Sequence, residues 1–105
     1  MDKGFKKISH VEAKKIIDTE NSVVILDVRE PEEVREGYID GAVFIPNGDI
    51  LKKAGNVIPD KNKKILVYCR SGKRSRAACE KLIKIGYTNV YDFGGIMDWP
   101  FEIVM

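Results

Sequence analysis

The sequence has one histidine and two cysteines among 105 residues, and these scarcities exclude a good deal. Cys69 and Cys79 are too few for the disulfide framework of a small secreted domain. No Cys-x-x-Cys or paired Cys/His spacing occurs, so neither a structural zinc site nor any other metal is expected. Long apolar runs are missing as well. None approaches the roughly 20 residues of a membrane-spanning helix, and the opening M-D-K-G-F-K-K-I-S has lysines with no apolar segment behind them, so no secretory leader is expected. An excess of one charge is also absent. With 18 basic and 16 acidic residues the formal net charge is +2, short of the basic surplus that marks a dedicated nucleic-acid binder. The expected compartment is the cytoplasm, with no membrane or nucleic-acid partner.

The composition, 44% hydrophobic and 32% charged, is that of a globular chain. Its length fits one domain, residues 1–105, with a modest core. Short apolar runs alternate with helical periods, which predicts an α/β fold with a mainly parallel sheet. Strands are expected at 6–8, 23–28, 42–45, 64–68 and 90–93. Ser9 and Glu12 form a capping-box signature for a first helix, whose apolar stripe is Ala13, Ile16 and Ile17. Pro31 opens a short helix that Gly37 stops. A further short helix is expected over 47–54 with Gly55 as its stop, and another over 75–85 ended by Gly86. Gly94-Gly95 reads as a turn, and 96–101 as a short helical tail that covers the core with Trp99.

One stretch does not fit a purely structural account. In Y-C-R-S-G-K-R-S (68–75) a cysteine follows an apolar run and is followed by three cations and a glycine. The stretch joins the C-terminal end of a predicted central strand to the start of a helix, where ligands bind in open α/β sheets. Unsatisfied amides and the helix dipole make an anion site there, and Gly72 allows the backbone to curl into a cradle. The dipole, Arg70, Lys73 and Arg74 favour the thiolate of Cys69, and an accessible thiolate is a nucleophile.

Four segments carry a resemblance: V-I-L-D-V-R-E-P-E-E-V at 24–34, G-Y-I-D-G-A-V-F-I-P at 37–46, the 68–75 loop, and L-I-K-I-G-Y-T-N-V-Y-D-F-G-G-I-M-D-W at 82–99. Together they resemble a single-domain rhodanese, a sulfurtransferase module, over nearly the whole chain. The resemblance implies a five-stranded, mainly parallel sheet flanked by helices on both faces. It implies Cys69 as the catalytic cysteine and Arg70, Ser71, Gly72, Lys73 and Arg74 as the substrate-binding loop. It implies a ping-pong exchange without a cofactor. A sulfane sulfur from a small anionic donor such as thiosulfate would pass through a Cys69 persulfide to cyanide, a small thiol or a protein thiol. A protein-bound relay serving one partner would use the same residues. The spacing Cys-x4-Arg is one residue shorter than the Cys-x5-Arg of related phosphatase loops, which favours a single sulfur over a tetrahedral phosphate. The family commonly has Gly-His-Ile-Pro-Gly-Ala where this chain has Tyr38 and Asp40, a departure placed before the third strand.

Three further positions are expected to support the loop. Asp27 braces loop amides, Arg29 pairs with a nearby carboxylate, and Ser75 stands at the loop's end. Cys79 is expected to be a small core residue. His10 is expected to be exposed in the first turn of its helix, without a catalytic role.

Overall fold

The computed structural model describes residues 4–105; the first three residues of the stretch read for a leader lie outside them. Strands β1 (Lys6–Lys7), β2 (Val23–Asp27), β3 (Val43–Phe44), β4 (Lys64–Cys69) and β5 (Val90–Gly95) form one sheet in the order β1-β5-β4-β2-β3. Every pairing in it is parallel. Helices α1 (His10–Thr19), α2 (Pro31–Val34), α3 (Ile50–Val57) and α4 (Lys73–Lys84) connect the strands. Ser9 caps α1 through the expected reciprocal bonds with Glu12.

The strand period of two divides the core. Ile65, Val67 and Cys69 of β4 face one apolar cluster with Ile50 and Ala54 of α3 and Ala78, Cys79 and Leu82 of α4. Leu66 and Tyr68 face the other, with Ala13 of α1, Ile39, Phe93 and Trp99. Strand β4 is thus buried on both faces, which is why it reads as an unbroken apolar run. Its Tyr68 side chain is not purely apolar: the hydroxyl accepts a hydrogen bond from the buried Ile39 amide at 3.1 Å.

The sheet order places the chemistry. The connection after β2 runs outward to β3, whereas that after β4 runs to β5 on the other side. The C-terminal ends of β2 and β4 are therefore neighbours at a topological switch point, with Asp27 paired to Tyr68. Arg29 and the loop after Cys69 emerge there side by side.

Several elements differ from the sequence expectation. The 47–54 segment is a 3-10 turn (Asn47–Asp49) followed by α3, and Gly55 lies inside α3 rather than ending it. Burial of Ile50 and Ala54 against the sheet outweighs the weak helix preference of one glycine. Helix α4 begins at Lys73, two residues before the expected Ser75, because Gly72 adopts a left-handed conformation (φ 109°) and serves as its N-cap. Gly94 and Gly95 are not a free turn but the end of β5. Val67 pairs with Asp92 and Cys69 with Gly95, so β5 carries one extra residue in a bulge.

That bulge brings two backbones together. A β-carbon built on Gly95 would lie 2.1 Å from the Arg70 carbonyl oxygen and 2.7 Å from the Ser71 α-carbon. Only glycine fits. Gly95→Ala should therefore destabilise the protein by about 1–3 kcal/mol, or shift the amide resonances of Arg70–Gly72. A wild-type urea midpoint together with unshifted amides would contradict this. Tyr68→Phe leaves the Ile39 amide buried without its acceptor and should lower the unfolding free energy by about 1–3 kcal/mol, measured by urea denaturation.

Candidate active site

Cys69 ends β4 and its sulfur accepts a hydrogen bond from the Gly72 amide at 3.0 Å. This contact requires the chain to reverse within three residues, which the positive φ of Gly72 permits. A glycine N-cap offers no side chain to the first-turn amides of α4. The start of the helix thus stays available to an anion. Cys69 itself is only 1% exposed, so the expectation of an openly accessible thiolate is corrected. The reason is the tightness of the loop, which folds over the sulfur while Arg70, Ser71 and Lys73 remain in water.

The loop is tied at both ends. The Arg70 carbonyl accepts from the Met97 amide at 3.1 Å. The Ser75 hydroxyl is buried and donates to Asp92 Oδ1 at 2.8 Å, with the carbonyls of Gly72 and Gly94 also within reach at 3.0 and 3.4 Å. Asp92 Oδ1 in turn accepts from the Gly94 amide at 2.9 Å, inside the bulge. Ser75 thus lies beneath the start of α4, and Asp92 is a partner that the sequence reading missed.

The three cations differ in state. Arg74 donates two hydrogen bonds, at 2.6 and 2.8 Å, to the Glu33 carboxylate on α2. It lies in the first turn of α4, where the helix dipole disfavours a cation, and Glu33 offsets this. The same guanidinium holds the Glu33 carboxyl down at about 2, against an ordinary value of 4.5. Arg70 and Lys73 have exposed side chains with no hydrogen bond or ion pair among the described residues. The expectation that all three cations stand free to orient an anionic donor therefore narrows to Arg70 and Lys73.

Asp27 does not brace loop amides. Its carboxylate, fully buried, faces Arg29, which donates to it from Nε and from Nη2, the latter at 2.7 Å, and from its own backbone amide at 2.9 Å. A buried carboxylate at a strand end takes the nearest full positive charge, two residues along the chain. Arg29 also donates to the Gly37 carbonyl at 2.7 Å and the Glu33 carbonyl at 3.3 Å, and its guanidinium stacks over the Tyr68 ring at 5.7 Å. Arg29 thus positions α2, and α2 holds Arg74 through Glu33. Both residues are structural neighbours of the loop rather than contacts of the sulfur.

Cys79 is fully buried in the same apolar cluster as Cys69, and burial pushes its thiol far up, with the negative field of Asp92 and Cys69 adding to this. Both cysteines are free. His10 is half-buried rather than exposed. It packs edge-on against Trp99 (centroids 5.5 Å) and Phe93 (6.3 Å), because the tail carrying Trp99 folds back over the start of α1. No group of three or more potential metal ligands occurs among the described residues. An open pocket of about 410 Å³ adjoins the loop at Arg70 and is lined also by Glu36, Met97 and Ile103. A larger cleft of about 790 Å³, between Lys14, Ile39 and Trp99, contains no loop residue.

Comparison with known proteins agrees with this architecture. The profile of the Rhodanese-like domain family matches residues 9–100. The Bacillus subtilis protein YtwF, provisionally named a sulfurtransferase, is 41% identical over 97 residues, covering 92% of each chain. The thiosulfate sulfurtransferase PspE of Escherichia coli is 38% identical over 73 residues, 70% of each chain. A solved structure of an E. coli rhodanese with anions superposes with a TM-score of 0.73 at 35% identity, covering 78% of this chain and 96% of that one. With a five-stranded parallel sheet, a cysteine loop at its switch point and a family match over most of its length, the chain belongs to the Rhodanese-like domain family.

Proposed function

We propose that this protein is a sulfurtransferase that carries a sulfane sulfur on Cys69, taking it from thiosulfate or a similar small anion. The observation that carries the reading is the Gly72 amide directed at the Cys69 sulfur across 3.0 Å at the start of α4. The naming of its relatives as sulfurtransferases supports the reaction class.

In the first step the Cys69 thiolate attacks the outer sulfur of the donor. The donor S–S bond breaks, its electron pair leaves with sulfite, and Cys69 becomes a persulfide whose terminal sulfur is anionic. Fixed backbone dipoles stabilise that charge without reorganising. Arg70 and Lys73 draw the donor to the loop, while Ser71 and Gly72 contribute backbone to the cradle. In the second step a thiophilic acceptor takes the outer sulfur and the electron pair of the broken S–S bond returns to Cys69. Arg74, Asp27, Arg29 and Ser75 hold the loop in position. No cofactor or metal enters either step. Free thiols at both cysteines suit a reducing compartment such as the cytoplasm.

Incubation with thiosulfate should add one sulfur atom to the intact mass, and cyanide should remove it. Cys69→Ser should abolish the adduct and Cys79→Ser should retain it. The reverse pattern, or no adduct on the wild type, overturns the assignment. The Arg74–Glu33 clamp sets an acid limit on the loop. Because the folded Glu33 carboxyl sits at about 2 and the ordinary value is 4.5, its contribution is fully present above pH 4.5 and is lost as pH falls toward 2. A carbon-13 titration of the Glu33 carboxyl should find it ionised at pH 3.5; a midpoint near 4.5 would mean the clamp does not hold in solution.

A further inference from the structure

The larger cleft lies away from the Cys69 loop. Three separate parts of the chain wall it: Lys14 and Asp18 on α1, Asp40 in the turn before β3, and Trp99, Phe101 and Glu102 in the tail. The fold holds these walls in place. The Tyr68 hydroxyl takes the Ile39 amide at 3.1 Å and so fixes the turn. The Trp99 amide donates to the Ile96 carbonyl at 3.0 Å, and its indole N–H reaches the Glu102 carbonyl at 3.4 Å. The Trp99 and Phe101 rings pack edge-on with centroids 5.0 Å apart.

Charge in this cleft is unbalanced. Lys14 is bound to Asp18 by two contacts, at 2.7 and 2.8 Å. Asp40 and Glu102 are exposed, and neither side chain has a hydrogen bond or ion pair among the described residues. Two carboxylates are thus left without a countercharge beside an aromatic wall. That wall already takes a cation from within the chain. The Lys14 ammonium stands 5.6 Å from the centroid of the Phe101 ring, within the range of a cation–π contact. Asp40 also stands where the family commonly has a proline, so its charge belongs to this chain rather than to the shared frame.

These features narrow the ligand. An anion would be repelled by both carboxylates. A wholly apolar molecule would strip water from them and return no partner. A divalent metal held by protein groups alone needs several ligands together, and no group of three or more occurs among the described residues. The volume of about 790 Å³ lies within the range of small-molecule sites. We infer that this cleft binds a small aliphatic polyamine, whose ammonium groups meet Asp40 and Glu102 and whose methylenes lie against the aromatic wall. The inference is independent of the persulfide reading, since the cleft contains no residue of the loop.

The test is a nitrogen-15 correlation titration of the full chain with spermidine at low ionic strength. The sequence has one tryptophan, so its indole N–H gives a single side-chain signal from the cleft wall. Spermidine should shift that signal and the amides of Asp40, Phe101 and Glu102, with half-saturation below about 1 mM. The double variant Asp40→Asn, Glu102→Gln should raise the half-saturation concentration about tenfold, a change matched to two exposed charge contacts. Both side chains are exposed and unbonded, so neither substitution removes a folding contact. Lys14→Met should act in the opposite direction and tighten binding about threefold, because it frees Asp18 and one face of Phe101. A purely structural role for Lys14 predicts no such gain. Magnesium chloride at matched ionic strength, and butanediol, should leave these signals in place. Shifts reproduced by magnesium, half-saturation unchanged in the double variant, or spermidine shifts that fall outside the cleft overturn the inference. Saturation by trilysine without any by spermidine also overturns it, in favour of a basic segment of a partner protein.

Discussion

The carbonyl of Arg70 occupies the space that any side chain at position 95 would need, and the arrangement around Cys69 depends on that close approach. It requires a glycine on β5 and an extra residue there to bring the glycine level with Cys69. Once the two backbones touch, the loop has one course. Met97 fixes the Arg70 carbonyl, the chain turns at Gly72, and the Gly72 amide meets the sulfur. The bulge also leaves the Gly94 amide to Asp92, and Asp92 holds the Ser75 hydroxyl beneath the start of α4. A strand irregularity and a helix start are in this way one unit.

Charge in this region divides into fixed and free. Backbone dipoles at the loop are fixed by hydrogen bonds on both sides and act on the buried sulfur, where few competing water dipoles weaken them. Side-chain cations lie farther out and are screened. The fold holds Arg74 in place with Glu33, and holds Arg29 with Asp27, leaving Arg70 and Lys73 in water. On the proposed reading, holding a persulfide and attracting an anion are separate tasks, done by different groups. The burial of Cys69 fits this division, because an exposed thiolate would owe its stabilisation to solvent rather than to the cradle.

The parts of the site that were legible in the sequence are those contiguous in it. Cys69, the glycine and the cations occur within six residues, and the strand before them is apolar on both faces, so its place at the centre of a sheet follows from composition. Glu33 and Asp92 were not legible as partners, because each reaches the loop only through the fold: Glu33 meets Arg74 across 41 positions and Asp92 meets Ser75 across 17. Gly94-Gly95 misled for a different reason. Paired glycines mark turns and bulges alike, and only the register with β4 separates the two. Asp27 misled because a strand-end carboxylate beside a loop can satisfy either amides or an arginine, and the guanidinium two residues away carries the full charge. His10 misled because the tail that covers it arrives from the far end of the chain.

Loop length and loop rigidity carry the same consequence for specificity. The Cys-x4-Arg loop closes on a sulfur 3.0 Å from the Gly72 amide, and the ties at Met97, Asp92 and Glu33 oppose its widening. On the proposed reading, a donor must therefore present a single terminal sulfur to Cys69 and keep its bulk outside, among Arg70 and Lys73. On the same reading the acceptor faces the same geometric limit, and it approaches a sulfur that the cradle already holds. On that reading, differences between acceptors arise outside the cradle, in groups that do not hold it. The side chains of Glu36, Met97 and Ile103 line the pocket beside the loop and take no part in the ties that hold it.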